Sequence, residues 1–365
     1  MFCSGCAILF LSQGNIFPLN AYFCFIFCMK THRFKMYCYP SFYKIATVFL
    51  FSWFLSGISA GAKNRHDTGR TFSVDDNVVT IYSPDIKDTV YLMVVSDTHL
   101  WMSDSREEPY RQYSQRMAGA YHVTQHFKTG KDTTPEEAFE QTVERARQQR
   151  VDALALMGDI FSYPSEAAVE WVTDILNKSG VPFYYTCGNH DWHYEGMEGS
   201  EKELRRTWIE NRLLPMFHGK DPLKYYVDVK GVRLVFIDNS IYEILPEQLS
   251  FIQEQIQSGV PLVLMMHIPL YAPGRSVDFG CGHPDWNSST DPSYKVERRA
   301  PWPKEGHTRT TWKFYEEVIH APNILAVFAG HIHSQSIDVI KGLPQFVTPF
   351  NAAGGFYDVV IIPEK

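Results

Sequence analysis

Continuous apolar runs alternate with amphipathic stretches along most of the chain, and each kind predicts its own element. Residues 90–96 (VYLMVVS) form an unbroken apolar run, the pattern of a strand buried on both faces. An irregular polar segment follows over 101–133. Thr134-Pro135-Glu136-Glu137 then reads as a capping box with proline in the first turn. It opens a helix that carries Phe139, Val143 and Ala146 on one face and ends near Gln149. Residues 151–157 (VDALALM) are the next strand. Ser165 caps a helix with Val169, Val172 and Leu176 inward and Gly180 at its end. Residues 181–187 (VPFYYTC) form another strand, and 225–238 alternate around Lys230-Gly231 as a hairpin. A helix over 246–257 and a strand over 261–266 come next. A helix over 311–319 and strands over 324–329, 336–340, 345–348 and 357–362 complete the pattern. Alternating strands and helices predict an α/β layered fold, with no interdomain linker after residue 63.

The first 62 residues break this pattern. Positions 1–60 contain no Asp or Glu and only four basic residues, Lys30, Arg33, Lys35 and Lys44. Lys44 precedes an apolar stretch over 45–62 that closes on Ala60-Gly61-Ala62, the layout of a secretory signal peptide. Its 18 residues also nearly suffice for a retained membrane anchor. Residues 1–62 are therefore expected to be a leader and 63–365 the catalytic domain, with the protein periplasmic or extracellular. The membrane enters only through an uncleaved leader. A second apolar stretch upstream, broken by Gly14, Asn15, Pro18 and Asn20, suggests that translation starts at Met36. Five of the seven cysteines lie in the leader, leaving Cys187 and Cys281, too few for a disulfide framework. Without the leader's four cations the chain has 30 basic against 41 acidic residues, a balance that disfavours nucleic acid.

Candidate chemistry sits where the apolar runs stop. Asp97-Thr98-His99 follows the first strand and Gly158-Asp159 the second. Gly188-Asn189-His190-Asp191 follows the third. His267 follows residues 261–266, and Gly330-His331-Ile332-His333 follows 324–329. Ligands of α/β sheets gather at the carboxyl ends of strands. Asp97, His99, Asp159, Asn189, His267, His331 and His333 can therefore converge on a shared metal site. Imidazole mixed with carboxylate and amide oxygen suits Mn, Fe or Zn rather than calcium.

The ordered series D-x-H, G-D, G-N-H-D, H and G-H-x-H resembles the calcineurin-like metallophosphoesterases over about residues 90–340. That resemblance implies a four-layer αββα sandwich of two mixed β-sheets flanked by helices. It implies that Asp97, His99 and His333 hold one metal, Asn189, His267 and His331 the other, and that Asp159 bridges them. It further implies phosphoester hydrolysis by a metal-bridging hydroxide, with His190 beside the site as hydrogen-bond donor or acid. Asp191 either orients a histidine or serves as a turn carboxylate. Purple acid phosphatases, which share the superfamily, are disfavoured. His99 is retained and Tyr163 sits one place beyond their G-D-x-x-Y spacing, so Tyr163 is expected to pack.

Two irregular segments are candidates for substrate choice. One, over 101–133, carries Arg106, Arg111, Arg116, His122 and His126. The other, over 271–310, is rich in Gly, Pro, Trp and charge, and loops of that length are commonly functional. Within it Arg275 and His307 are the first candidates for phosphate contact, against the alternative of loop surface with anchoring aromatics. The expected substrate is a small phosphate ester; monoester, diester and pyrophosphate, including nucleotides, stay open. A non-catalytic metal-binding protein on the same fold is the alternative from another class, disfavoured because every ligand position is filled. No H-E-x-x-H helix supports a protease.

Overall fold

The computed structural model describes residues 70–121, 124–292 and 299–364. The leader, its cleavage or retention, the Met36 start and His122 lie outside the described residues. Among the described residues no helix is long and apolar enough to cross a membrane.

Two six-stranded mixed sheets form the centre. The first contains β1 (Thr71–Asp75), β2 (Val78–Ser83), β3 (Val90–Val95), β4 (Ala153–Met157), β5 (Phe183–Thr186) and the last strand, β12 (Tyr357–Pro363). Their spatial order is β1-β2-β12-β3-β4-β5. The second contains β6 (Lys224–Val229), β7 (Val232–Ile237), β8 (Leu262–Met265), β9 (Ile324–Ala329), β10 (Ser336–Ile340) and β11 (Leu343–Val347), in the order β10-β11-β9-β8-β7-β6. At the heart of each sheet the strands run parallel: β3, β4 and β5 in one, β7, β8 and β9 in the other. Parallel neighbours send all their carboxyl ends to one edge.

Period-two alternation builds the layers. On β7, Leu234 and Phe236 face the core shared with the first sheet, while Val235 and Ile237 face helices. On β8, Val263 and Met265 point inward, and Leu262 and Leu264 point to the other side. That outer face is covered by α5 (Pro246–Gln257) and α6 (Arg309–His320), through Leu249, Ile252, Phe314 and Val318. The first sheet is covered by α2 (Pro135–Gln149) and α3 (Glu166–Ser179), through Phe139, Val143, Val169 and Val172. The result is the expected four-layer arrangement of two mixed sheets flanked by helices.

The predicted caps form. Thr134 accepts from Glu137 N–H while Glu137 returns to Thr134 N–H, and Ser165 accepts from Ala168 N–H. Gly180 ends α3 in the left-handed region. Three elements differ from expectation. The hairpin β1–β2 precedes the first predicted strand. The segment expected to be irregular over 101–133 contains α1 (Arg111–Ala120), which buries only Ser114 and Met117 and therefore has no apolar stripe. Similarly, α4 (Glu201–Trp208) buries only Arg205 and Trp208. Tyr163 is packed, 1% exposed, against Tyr194. Cys187 and Cys281 are both buried and unbridged.

Candidate metal centre

The carboxyl ends of β3, β4, β5, β8 and β9 open into short loops that lie side by side. Asp97 N–H donates to Gly158 O (3.1 Å) and His99 N–H to Asp159 O (2.9 Å). Gly330 N–H donates to His267 O (2.9 Å). This close lateral packing explains the glycines. A Cβ on Gly158 would lie 2.7 Å from His267 Nδ1, one on Gly330 2.7 Å from Asp97 Oδ2, and one on Gly188 would collide with Asp159. Five of the seven candidate ligands adopt positive φ: Asp97 (57°), His99 (53°), Asp159 (50°), His331 (73°) and His333 (53°). Such residues cost roughly 1–3 kcal/mol each and persist where the surroundings over-determine them, typically at functional sites.

The seven side chains meet. His99 Nε2 faces His333 Nε2 at 3.0 Å, and His333 Nε2 lies 3.4 Å from Asp97 Oδ1. His267 Nε2 is 3.1 Å from both Asp159 Oδ2 and Asn189 Oδ1. Donor atoms of Asp97, His99, Asp159 and His333 all lie within 4.8 Å of one another, as do those of Asp159, His267 and His331. Asp159 belongs to both groups. Asp97, His99 and His267 are fully buried and Asp159 is 1% exposed, while His331 and His333 are half-buried.

Electrostatics acts differently on the individual donors. Burial holds His99 well below the usual imidazole range, which leaves it neutral with a lone pair. Burial also opposes ionisation of Asp97, but the hydrogen bond and charge of His333, with His267 added, bring the carboxyl down to about 2. Burial would lower His267, yet the adjacent Asp159 carboxylate pushes it up to about 9. His267 Nδ1–H donates to Met157 O (2.8 Å), so Nε2 is the nitrogen turned toward Asp159 and Asn189. Imidazoles and carboxylates converging within a few ångströms are a donor set that fits transition-metal cations.

The remaining candidates divide. His190 is 7% exposed, its ring centroid 5.1 Å from that of His99, and its N–H donates to Asp159 Oδ1 (2.7 Å). Asp191 does not contact a histidine through its carboxylate. It accepts from Gly188 N–H (2.6 Å), Phe161 N–H (2.8 Å) and Asp159 N–H (2.9 Å), tying the second and third loops together. Burial, and then Asp159, raises its pKa to about 7, against the lowering effect of those amides. These three amide contacts are those of a turn carboxylate. Arg275 is committed elsewhere: its Nε–H donates to Asp338 Oδ1 (2.7 Å), and Ser336 takes a second bond. His307 stacks on Trp286 (4.2 Å, 2°) and meets Glu243 Oε1 at 3.3 Å, the position of a loop anchor. Neither joins the donor cluster. Arg106 and Arg116 are likewise paired, with Glu170 and Glu195.

Three contributors escape a reading of the sequence. Asn239, after β7, holds the backbone at the site: its Oδ1 accepts from His267 N–H (3.2 Å) and Ile268 N–H (3.0 Å), and its Nδ2–H donates to Ile268 O (2.7 Å). Applied to β7, the strand-end rule flags Asp238-Asn239. Arg299, 6% exposed, donates through Nη2 to Asn189 O (2.6 Å). Tyr242 Oη lies 3.0 Å from His331 Nε2. No local pattern marks the last two.

Comparison with known proteins agrees with this geometry. Residues 90–335 match the family described as calcineurin-like phosphoesterase. A Psychrobacter arcticus protein named "Probable cyclic nucleotide phosphodiesterase" is 19% identical over 242 residues, 62% of this chain and 76% of its own. A dimetal phosphatase from Danio rerio is similar in structure, with a TM-score of 0.47 at 11% identity over 73% of this chain and 91% of that one. A purple acid phosphatase from yellow lupin (Lupinus luteus) seeds gives a TM-score of 0.43 at 13% identity, covering 76% of this chain and 47% of that one. The family match, not these structural likenesses, carries the assignment.

Proposed function

The chain belongs to the calcineurin-like phosphoesterase family, and from that premise we propose that it hydrolyses a small phosphodiester outside the cytoplasm with two transition-metal ions. Metal-dependent phosphoester hydrolysis is the family's activity. The observation that carries the two-ion reading is a pair of donor groups sharing Asp159. Asp97, His99 and His333 would hold one ion and Asn189, His267 and His331 the other, with Asp159 as the donor common to both groups. Bound there, the ions supply Lewis acidity and water activation near neutral pH. The nitrogen and oxygen donors, with no thiolate among them, favour Mn, Fe or Zn.

The chain's own groups supply the rest. His190, beside His99, donates a hydrogen bond to a phosphoryl oxygen or a proton to the leaving alkoxide. Asp191 keeps the loops of Asp159 and Asn189 in register through its three amide contacts. Arg299 steadies the Asn189 backbone. The diester preference is supported by the name of the Psychrobacter arcticus relative, a cyclic nucleotide phosphodiesterase. Export is supported by Lys44 and the apolar stretch over 45–62.

The test uses the full chain, stripped with a chelator and restored with Mn, Zn or Fe in turn. A chromogenic phosphodiester and a monoester are assayed side by side. Turnover returns with metal and favours the diester. A monoester preference overturns the substrate class, and two bound ions without turnover on either ester overturns the catalytic reading. Mass spectrometry of the N-terminus in the exported fraction tests export; an intact cytoplasmic chain refutes it.

A further inference from the structure

The long segment over 271–310 does not deliver Arg275 or His307 to the donor cluster. Its Gly280, Trp286 and Trp302 close around a tyrosine instead. Tyr242 follows β7, adopts φ +62°, and is 2% exposed. A bulky side chain rarely takes that backbone conformation, so the fold holds it there. Trp286 stacks on its ring (6.0 Å, 25°) and Trp302 tilts against it (5.5 Å, 50°). Gly280 gives it room: a Cβ there would strike the tyrosine ring, with Cε1 at 3.1 Å. The ring so fixed turns its hydroxyl to Nε2 of His331, 3.0 Å away, with the two rings edge to face (5.5 Å, 81°).

We propose that Tyr242 is a positioning residue that sets the tautomer and ring orientation of His331, and that Gly280, Trp286 and Trp302 hold it in place. With His331 Nε2–H donating to the phenol oxygen, the lone pair rests on Nδ1, and Nδ1 is the nitrogen offered to a cation. His267, in the same donor group, is held the other way round: its Nδ1–H is taken by Met157 O and its Nε2 faces Asp159 and Asn189. Two histidines of one group thus turn opposite ring nitrogens to the centre, each through a fixed partner. Such outer partners typically change metal affinity 10–100-fold when removed. The inference rests on the proposal that His331 is a ligand.

The test is Tyr242→Phe in the full chain, which keeps the ring between its tryptophans and removes only the hydroxyl. Metal binding is followed by titration of the stripped protein with Zn. One of the two sites weakens about 10–100-fold while the other keeps its affinity and the metal-free protein melts as the parent does. Long-range 1H–15N spectra of the metal-free parent report His331 protonated on Nε2, and the variant reports a mixture. Parent affinity at both sites, or a parent His331 protonated on Nδ1, overturns the inference. A drop in melting temperature with unchanged affinity reduces Tyr242 to a packing residue and overturns it equally. His331→Ala separates the two claims: if it leaves two tight sites, the ligand assignment fails, and otherwise a null result for Tyr242→Phe refutes only the positioning role.

Discussion

Asp159 faces both donor groups, with Oδ2 3.1 Å from His267 Nε2 and its donor atom within 4.8 Å of those of Asp97, His99 and His333. An amide in its place keeps the shape but halves the oxygen donors and removes the negative charge that pushes His267 up to about 9. Asp159→Asn should therefore lose metal at both positions and abolish activity. Metal analysis checks it, and retention of two ions per chain would end the bridging role. His190 donates its backbone N–H to Asp159 Oδ1, and its ring lies 5.1 Å from that of His99, beside the donors. His190→Ala should keep both ions and slow turnover about 10²–10⁴-fold, the range for losing a proton donor. Loss of metal in that variant would make His190 part of the donor set instead.

At the scale of elements, local code and tertiary demand separate cleanly. The Thr134–Glu137 capping box stabilises the start of α2, remote in sequence from every strand-end loop. Thr134→Ala removes the acceptor for one N–H and should cost about 1 kcal/mol. For a domain of this size that lowers the melting temperature by about 2 °C, with metal content and turnover unchanged. A parallel loss of activity would reveal coupling between α2 and the centre. That helix was legible because its signal is local, as were the strands over 90–96 and 324–329, buried on both faces except at Tyr91. The donors were legible for the same reason, because each begins where an apolar run stops. What stayed hidden depends on distant partners. Helices α1 and α4 bury two residues each and so present no apolar period. Tyr242 acquires its role from Gly280, Trp286 and His331, none of them near it in sequence. Arg275 and His307 misled because phosphate-binding residue types also anchor loops, here against Asp338 and Trp286.

Across the whole molecule the two sheets meet at their carboxyl edges, and the donors are divided between them. Asp97, His99, Asp159 and Asn189 come from the first sheet, and His267, His331 and His333 from the second. Ions held between them bind the native arrangement and not the unfolded chain, so they add stability by mass action. Each site contributes about 2.7 kcal/mol at a free metal concentration 100 times its Kd. Two such sites contribute about 5 kcal/mol, or roughly 10 °C in melting temperature at about 2 °C per kcal/mol. The apolar core between the sheets, from Leu92 and Val94 to Leu234 and Phe328, does not depend on the ions. The stripped chain should therefore stay folded but melt lower. Thermal melts with a chelator, and then at rising free metal, measure this directly. The melting temperature should climb with the logarithm of metal concentration in the parent chain and stay flat in Asp159→Asn. Identical melts for loaded and stripped protein would mean that the ions do not clamp the two sheets together.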